Sequence, residues 1–141
     1  MDGNEDLKSL VVVLNEDRKD YLLLSELLRQ QRVLLIERRG RALMAMNLRL
    51  MEIYGQLNDR AQRRLQLFSL LGLPASSIGF EGVLLQVAPQ HHTSLRALWQ
   101  QLAHHANSCK ILNERNGVLL RMQQAILAPL LQQESEELYY R

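Results

Sequence analysis

Asn113-Glu114-Arg115-Asn116-Gly117-Val118-Leu119-Leu120 reads in isolation as a turn, because Asn-Gly ordinarily punctuates periodic segments. Its surroundings contradict that. Leu95, Leu98, Leu102, Cys109 and Leu112 precede it and Leu119, Ile126 and Leu130 follow it in one heptad phase, with His105, Asn116 and Gln123 on the same seam. A two-residue turn would lose that phase, so the spacing predicts a single helix running through. Within it, Asn116 is expected to make a buried hydrogen bond that fixes register at some cost in stability, and Gly117 to permit a close helix approach. Direct contact with a partner is the alternative role for both.

Working outward, Thr93 or Ser94 is the expected cap of this helix, and Pro129 marks its end or a kink. Residues 75–90 set Val83, Leu84, Leu85 and Val87 among Gly79, Gly82 and Pro89, which predicts a short helix flanked by turns, with a short strand as the alternative. Gly72-Leu73-Pro74 ends an earlier long helix carrying Leu43, Met46, Leu50, Ile53, Leu57, Ala61, Leu65 and Phe68. The two steps of four at Leu57, Ala61 and Leu65 read as a stutter. Gly40, within Arg38-Arg39-Gly40-Arg41, breaks or kinks the chain before it. The first segment, from about Glu5 to Arg38, has its seam at Leu7, Leu10, Leu14, Tyr21, Leu24, Leu28 and Leu35, interrupted by Asp17 and Gln31. Val11, Leu22, Leu27 and Leu34 widen that stripe, which suits a bundle better than a two-stranded coiled coil.

Composition agrees. Of 141 residues, 47% are apolar and only 5% aromatic, and 31 are leucine, so there is too little Val, Ile, Thr and Tyr for a β-sandwich or barrel. The expected fold is all-α: an elongated antiparallel helical bundle of three long helices plus one short helix over residues 1–131, with 132–141 as a flexible C-terminal tail. Each long helix would be about 45 Å in length. The run Leu10 to Leu14 is too short for a signal-peptide core or a membrane span, which together with a single cysteine points to a cytosolic protein without membrane insertion.

Charge and chemistry restrict function further. Seventeen Lys and Arg against 15 Asp and Glu leave +2, too weak a field to drive nucleic-acid binding. Nine arginines (Arg29, Arg32, Arg38, Arg39, Arg41, Arg49, Arg60, Arg63 and Arg64) face only Glu37, Glu52 and Asp59 between residues 29 and 64. No helix-turn-helix spacing or stacking aromatics accompany them, so a solvated face or an acidic protein partner is the expected use, and a regulatory or nucleic-acid-binding role is the alternative. His105 and Cys109 have the i, i+4 spacing of metal-ligand pairs, but two ligands do not make a site, and neither metal nor other cofactor is expected. No nucleophile with a base, paired carboxylates or phosphate loop can be placed, so the reading is non-enzymatic.

Leu95-Arg96-Ala97-Leu98-Trp99-Gln100-Gln101-Leu102, then Cys109, then Leu112 to Leu120 with Asn113-x-x-Asn116-Gly117, resemble the C-terminal half of the FlgN family, the bacterial flagellar export chaperones. Leu71-Gly72-Leu73-Pro74 and the leucine-rich helices before it extend the resemblance over most of residues 7–131. The resemblance implies a cytosolic chaperone that binds the two hook-filament junction proteins before their export through the flagellar type III apparatus. It implies that the C-terminal part engages substrate, for which Leu127, Leu130, Leu131 and Leu138 offer an apolar helix face; Leu127 and Leu130 alternatively complete the core. It also implies that a tyrosine beyond the last helix contacts the cytosolic domain of the export gate, and Tyr139 sits at the matching place, with Tyr140 beside it. Trp99, Asn113, Asn116 and Gly117 are the family-motif residues, with a structural role.

Overall fold

The computed structural model describes the backbone of residues 3–139 and the side chains of residues 3–125. Helix α1 spans Gly3–Ile36, α2 Gly40–Leu70, α3 Ser77–Leu85 and α4 His92–Tyr139, with a single 3-10 turn at Pro89–His91 leading into α4. The all-α architecture of three long helices and one short one is as expected. Successive long helices run antiparallel, which makes α1 and α4 parallel, and α1 lies between α2 and α4 and packs extensively on both.

Two helix ends explain the connections. After α1, Arg38 adopts φ 55°, while Arg38 N–H donates to Leu35 O and Arg39 N–H to Leu34 O, the paired bonds of a Schellman cap. The chain therefore breaks at residues 37–39, with the left-handed residue two positions before Gly40, and Gly40 opens α2. After α2, Gly72 takes φ 71° in the same motif, with Gly72 N–H on Ser69 O and Leu73 N–H on Phe68 O. Ser76 then caps α3 by accepting from Gly79 N–H at 3.3 Å, so residues 77–85 are helix rather than strand. Gly79 lies against the preceding turn so closely that a Cβ there would stand 1.6 Å from Pro74 O. Neither Thr93 nor Ser94 precedes α4 as a cap: both lie inside the helix, and Ser94 Oγ donates back to His91 O at 3.0 Å. The backbone of α4 also continues helical through Pro129.

Two cores are stacked along the bundle. In the lower one Leu7, Leu10 and Leu14 meet Leu67 and Phe68 of α2, Phe80, Val83 and Leu84 of α3, and Leu95, Leu98 and Leu102 of α4. Trp99 seals it, stacked on Phe80 at 4.6 Å and edge-on to Phe68 at 6.3 Å. In the upper core Leu24, Leu27 and Leu28 pack against Met46, Leu50, Ile53, Leu57 and Cys109. Fully burying each leucine contributes roughly 1.5–3 kcal/mol before ordering costs.

Between the cores lies a charged layer. Asp17 is fully buried; its carboxylate accepts from Arg60 Nε at 2.6 Å and from Arg64, and Arg60 also pairs with Asp20 and, at 3.9 Å, with Glu16. Burial opposes the charge of Arg60, but its hydrogen bonds to Asp17 and Asp20 outweigh that and raise its pKa above the ordinary value. This layer corrects the sequence-based seam of α2. Leu65 is exposed (53%), and the interior positions run Met46, Leu50, Ile53, Leu57, Arg60, Arg64 and Leu67, an unbroken heptad. The apparent stutter arises only when arginine is denied a seam position. A buried carboxylate needs such partners, since an uncompensated charge there costs several kcal/mol, on the order of 3–5.

Candidate partner-binding site

Three polar seam residues of α4 face α1. Cys109 Sγ donates to Tyr21 O at 3.2 Å, Asn116 Nδ2 to Leu28 O at 2.8 Å and Gln123 Nε2 to Leu35 O at 2.7 Å. Donors and acceptors both advance by seven residues, so each pair is separated by 88 residues along the chain and the ladder pins a parallel register. Asn116 does more. Its amide also donates to Gln31 Oε1 at 2.9 Å, and Gln31 in turn donates to Asn47 Oδ1 at 3.0 Å, joining α4, α1 and α2 through three amides. With two acceptors around Nδ2, the amide orientation follows from the network. Asn116 Oδ1 is left buried without a partner among the described residues. The buried hydrogen bond expected of Asn116 is therefore present, and Gln31, which interrupts the α1 seam, is its partner.

The close approach expected at Gly117 is not present. A Cβ there would meet only the Arg121 guanidinium of its own helix, at 3.4 Å. Asn113 is exposed, on the edge of a groove of about 220 Å³ between α2 and α4 that Tyr54, Cys109 and Lys110 also line. Trp99 is half-buried in the lower core. Cys109 is held as a neutral thiol, its pKa pushed up to about 11 by burial, with Arg29 a smaller opposing influence. Among the described residues no group of three or more His, Cys, Asp and Glu is placed to hold a metal ion. Nor is any described helix long and apolar enough to cross a membrane. Of the nine arginines between residues 29 and 64, Arg60 and Arg64 turn inward onto carboxylates, which takes two charges from the basic face.

The side chains of Leu127, Leu130, Leu131, Leu138 and Tyr139 lie outside the described residues, as does Tyr140 altogether. Backbone register still locates the first five positions. The 88-residue offset sets Ile36, the end of α1, level with residue 124, so residues 125–139 of α4 continue beyond α1 by about 20 Å at 1.5 Å per residue.

One apolar surface lies outside the heptad seams. Ile111, Val118 and Met122 are exposed on α4 away from the seam, and with Leu119, Glu114 and Arg115 and with Arg32 of α1 they line a groove of about 590 Å³. Their seven- and four-residue spacing was the available signal, masked by the stronger seam.

Buried polar groups spent on register, a helix prolonged past its neighbours and an apolar groove on its flank together describe a helical scaffold for binding other proteins. The chain matches the family described as FlgN protein over residues 1–135, and it belongs to that family. Comparison with curated proteins and with solved structures finds no match. Family membership makes it a non-enzymatic, cytoplasmic flagellar export chaperone for the hook-filament junction proteins.

Proposed function

We propose that the prolonged end of α4 is where this chaperone holds its substrate. Leu127, Leu130, Leu131 and Leu138 form the apolar face that buries a junction-protein segment, and Tyr139 contacts the cytosolic domain of the export gate, with Tyr140 the neighbouring substitute. The observation carrying this reading is the register ladder, which sets residues 125–139 past the end of α1 and so past the helix that covers the rest of α4. An amphipathic segment in that position supplies a helix face for an export substrate whose own segments fold only when paired. Pull-down of both junction proteins by the intact chain and by a chain ending at Ala128 tests it. The intact chain retains them and the truncated chain loses most of that binding; equal retention by both removes the assignment. Tyr139→Ala is expected to leave junction-protein binding intact while abolishing capture by the gate's cytosolic domain.

A further inference from the structure

The groove between α1 and α4 has a composition that the register ladder does not require. Its floor is aliphatic: Ile111, Val118 and Met122 are 40%, 48% and 57% exposed, an amount of apolar surface that a helix face fully served by α1 would hide. Its lining also holds Arg32 from α1 and Arg115 from α4, the latter within the apolar stripe one turn after Ile111; both are exposed and both are without an ion pair or hydrogen bond among the described residues, with Glu114 as the one opposing charge.

We infer that this groove receives an acidic amphipathic helix of the junction protein, its apolar line seated on Ile111, Val118 and Met122 and its carboxylates on Arg32 and Arg115. The inference rests on the chaperone reading and deepens it: the substrate surface starts at Ile111, upstream of the leucines beyond Ala125, and selects for acidic flanks. Charge complementarity supplies the choice of partner. Guanidinium groups left free within the groove pair bidentately with carboxylates, and its aliphatic residues fit the apolar face of a helix at i, i+3, i+4 and i+7. Nucleic acid fits poorly, since phosphate needs no aliphatic floor and bases stack on aromatics, which the lining does not contain. A bilayer surface is too flat to fill a concave cleft between two helices.

Titration calorimetry with each junction protein separates the outcomes, using the full chain as wild type, as Val118→Asp with Met122→Asp, and as Arg32→Glu with Arg115→Glu. All four positions are exposed, and far-UV circular dichroism checks that helicity is kept. Each double variant is expected to bind at least about tenfold more weakly, and the charge reversal to flatten the salt dependence of binding. Should the aspartate variant lose helicity, the charge-reversal variant carries the test alone. If wild type binds and the folded variants bind equally well, the groove assignment fails while the chaperone reading stands. If the intact wild type binds neither junction protein, the chaperone reading itself fails. Binding of duplex DNA or phosphatidylserine vesicles that the charge reversal abolishes, with junction-protein binding unchanged, would overturn the choice of partner.

Discussion

The lower and upper halves of the bundle use the same heptad geometry for different ends. Below Asp17, three long helices and α3 enclose a core of leucines, Phe68, Phe80 and Trp99, and among the described residues no polar or charged side chain is buried there. Above it, Asn116, Gln31 and Gln123 stand on the seam where leucines stand below, and α4 carries exposed Ile111, Val118 and Met122. The lower half is organised for stability and the upper half for alignment, with apolar surface left uncovered beside it. Parallel α1 and α4 would pack in several registers through leucine alone, because one heptad slip sets leucine against leucine again. Amides and a thiol that reach specific backbone carbonyls remove that degeneracy. On the substrate-binding role proposed for residues 125–139, holding the register at the upper end fixes how far α4 projects beyond α1.

The largest test of this contrast is Trp99→Ala. It removes the ring stacked on Phe80 and edge-on to Phe68, and because Trp99 is only half-buried a loss of about 2–3 kcal/mol, below that of a fully buried aromatic, is expected in urea unfolding. A cost below about 1 kcal/mol would show that the lower half does not dominate stability. Asn116→Leu should act oppositely. It removes a buried amide whose Oδ1 has no partner and adds apolar contact, so stability is expected to rise by about 1 kcal/mol. The accompanying signature is loss of unique register, read as a broadened distance distribution between spin labels on residues 33 and 121. A destabilised variant with a sharp distance distribution would mean that Asn116 contributes to stability rather than alignment.

Legibility in the sequence followed the same divide. Heptad phase predicted the three long helices, the continuity of α4 through Asn116-Gly117 and most of the interior of both cores, because burial repeats with the helix and is a local signal. Asp17 and Gln31 were visible as interruptions of a seam, yet nothing local revealed that Arg60 and Asn116 answer them from other helices. Charge pairing across 43 residues has no periodicity of its own, so Leu65 was assigned the place that Arg64 occupies. The end of α1 falls near Arg38, as the heptad phase predicts, but the capping residue is not the one that composition favours. Gly40 is the residue best suited to a left-handed cap, but the hydrogen bonds to Leu34 and Leu35 put Arg38 there. The groove at Ile111, Val118 and Met122 was hidden because a second, weaker stripe on a helix is indistinguishable from an expanded core stripe until the neighbours are known.

Gly117 probes the same contrast on the smallest energetic scale. A glycine in a helix interior costs about 1 kcal/mol relative to alanine, and in the lower half such a cost is explained where backbone comes close, as at Gly79 against Pro74. At Gly117 the space would take a methyl group with only a small shift of Arg121. Gly117→Ala is therefore expected to stabilise the chain by roughly 0.5–1 kcal/mol, seen as a higher urea midpoint at unchanged slope. The same variant distinguishes two uses of the glycine. If junction proteins bind it as tightly as wild type, Gly117 serves neither packing nor contact; if stability rises while binding weakens, the missing side chain is needed by a partner that lies against α4 at that level. A destabilised variant would show instead that another helix comes closer to Gly117 than 4 Å.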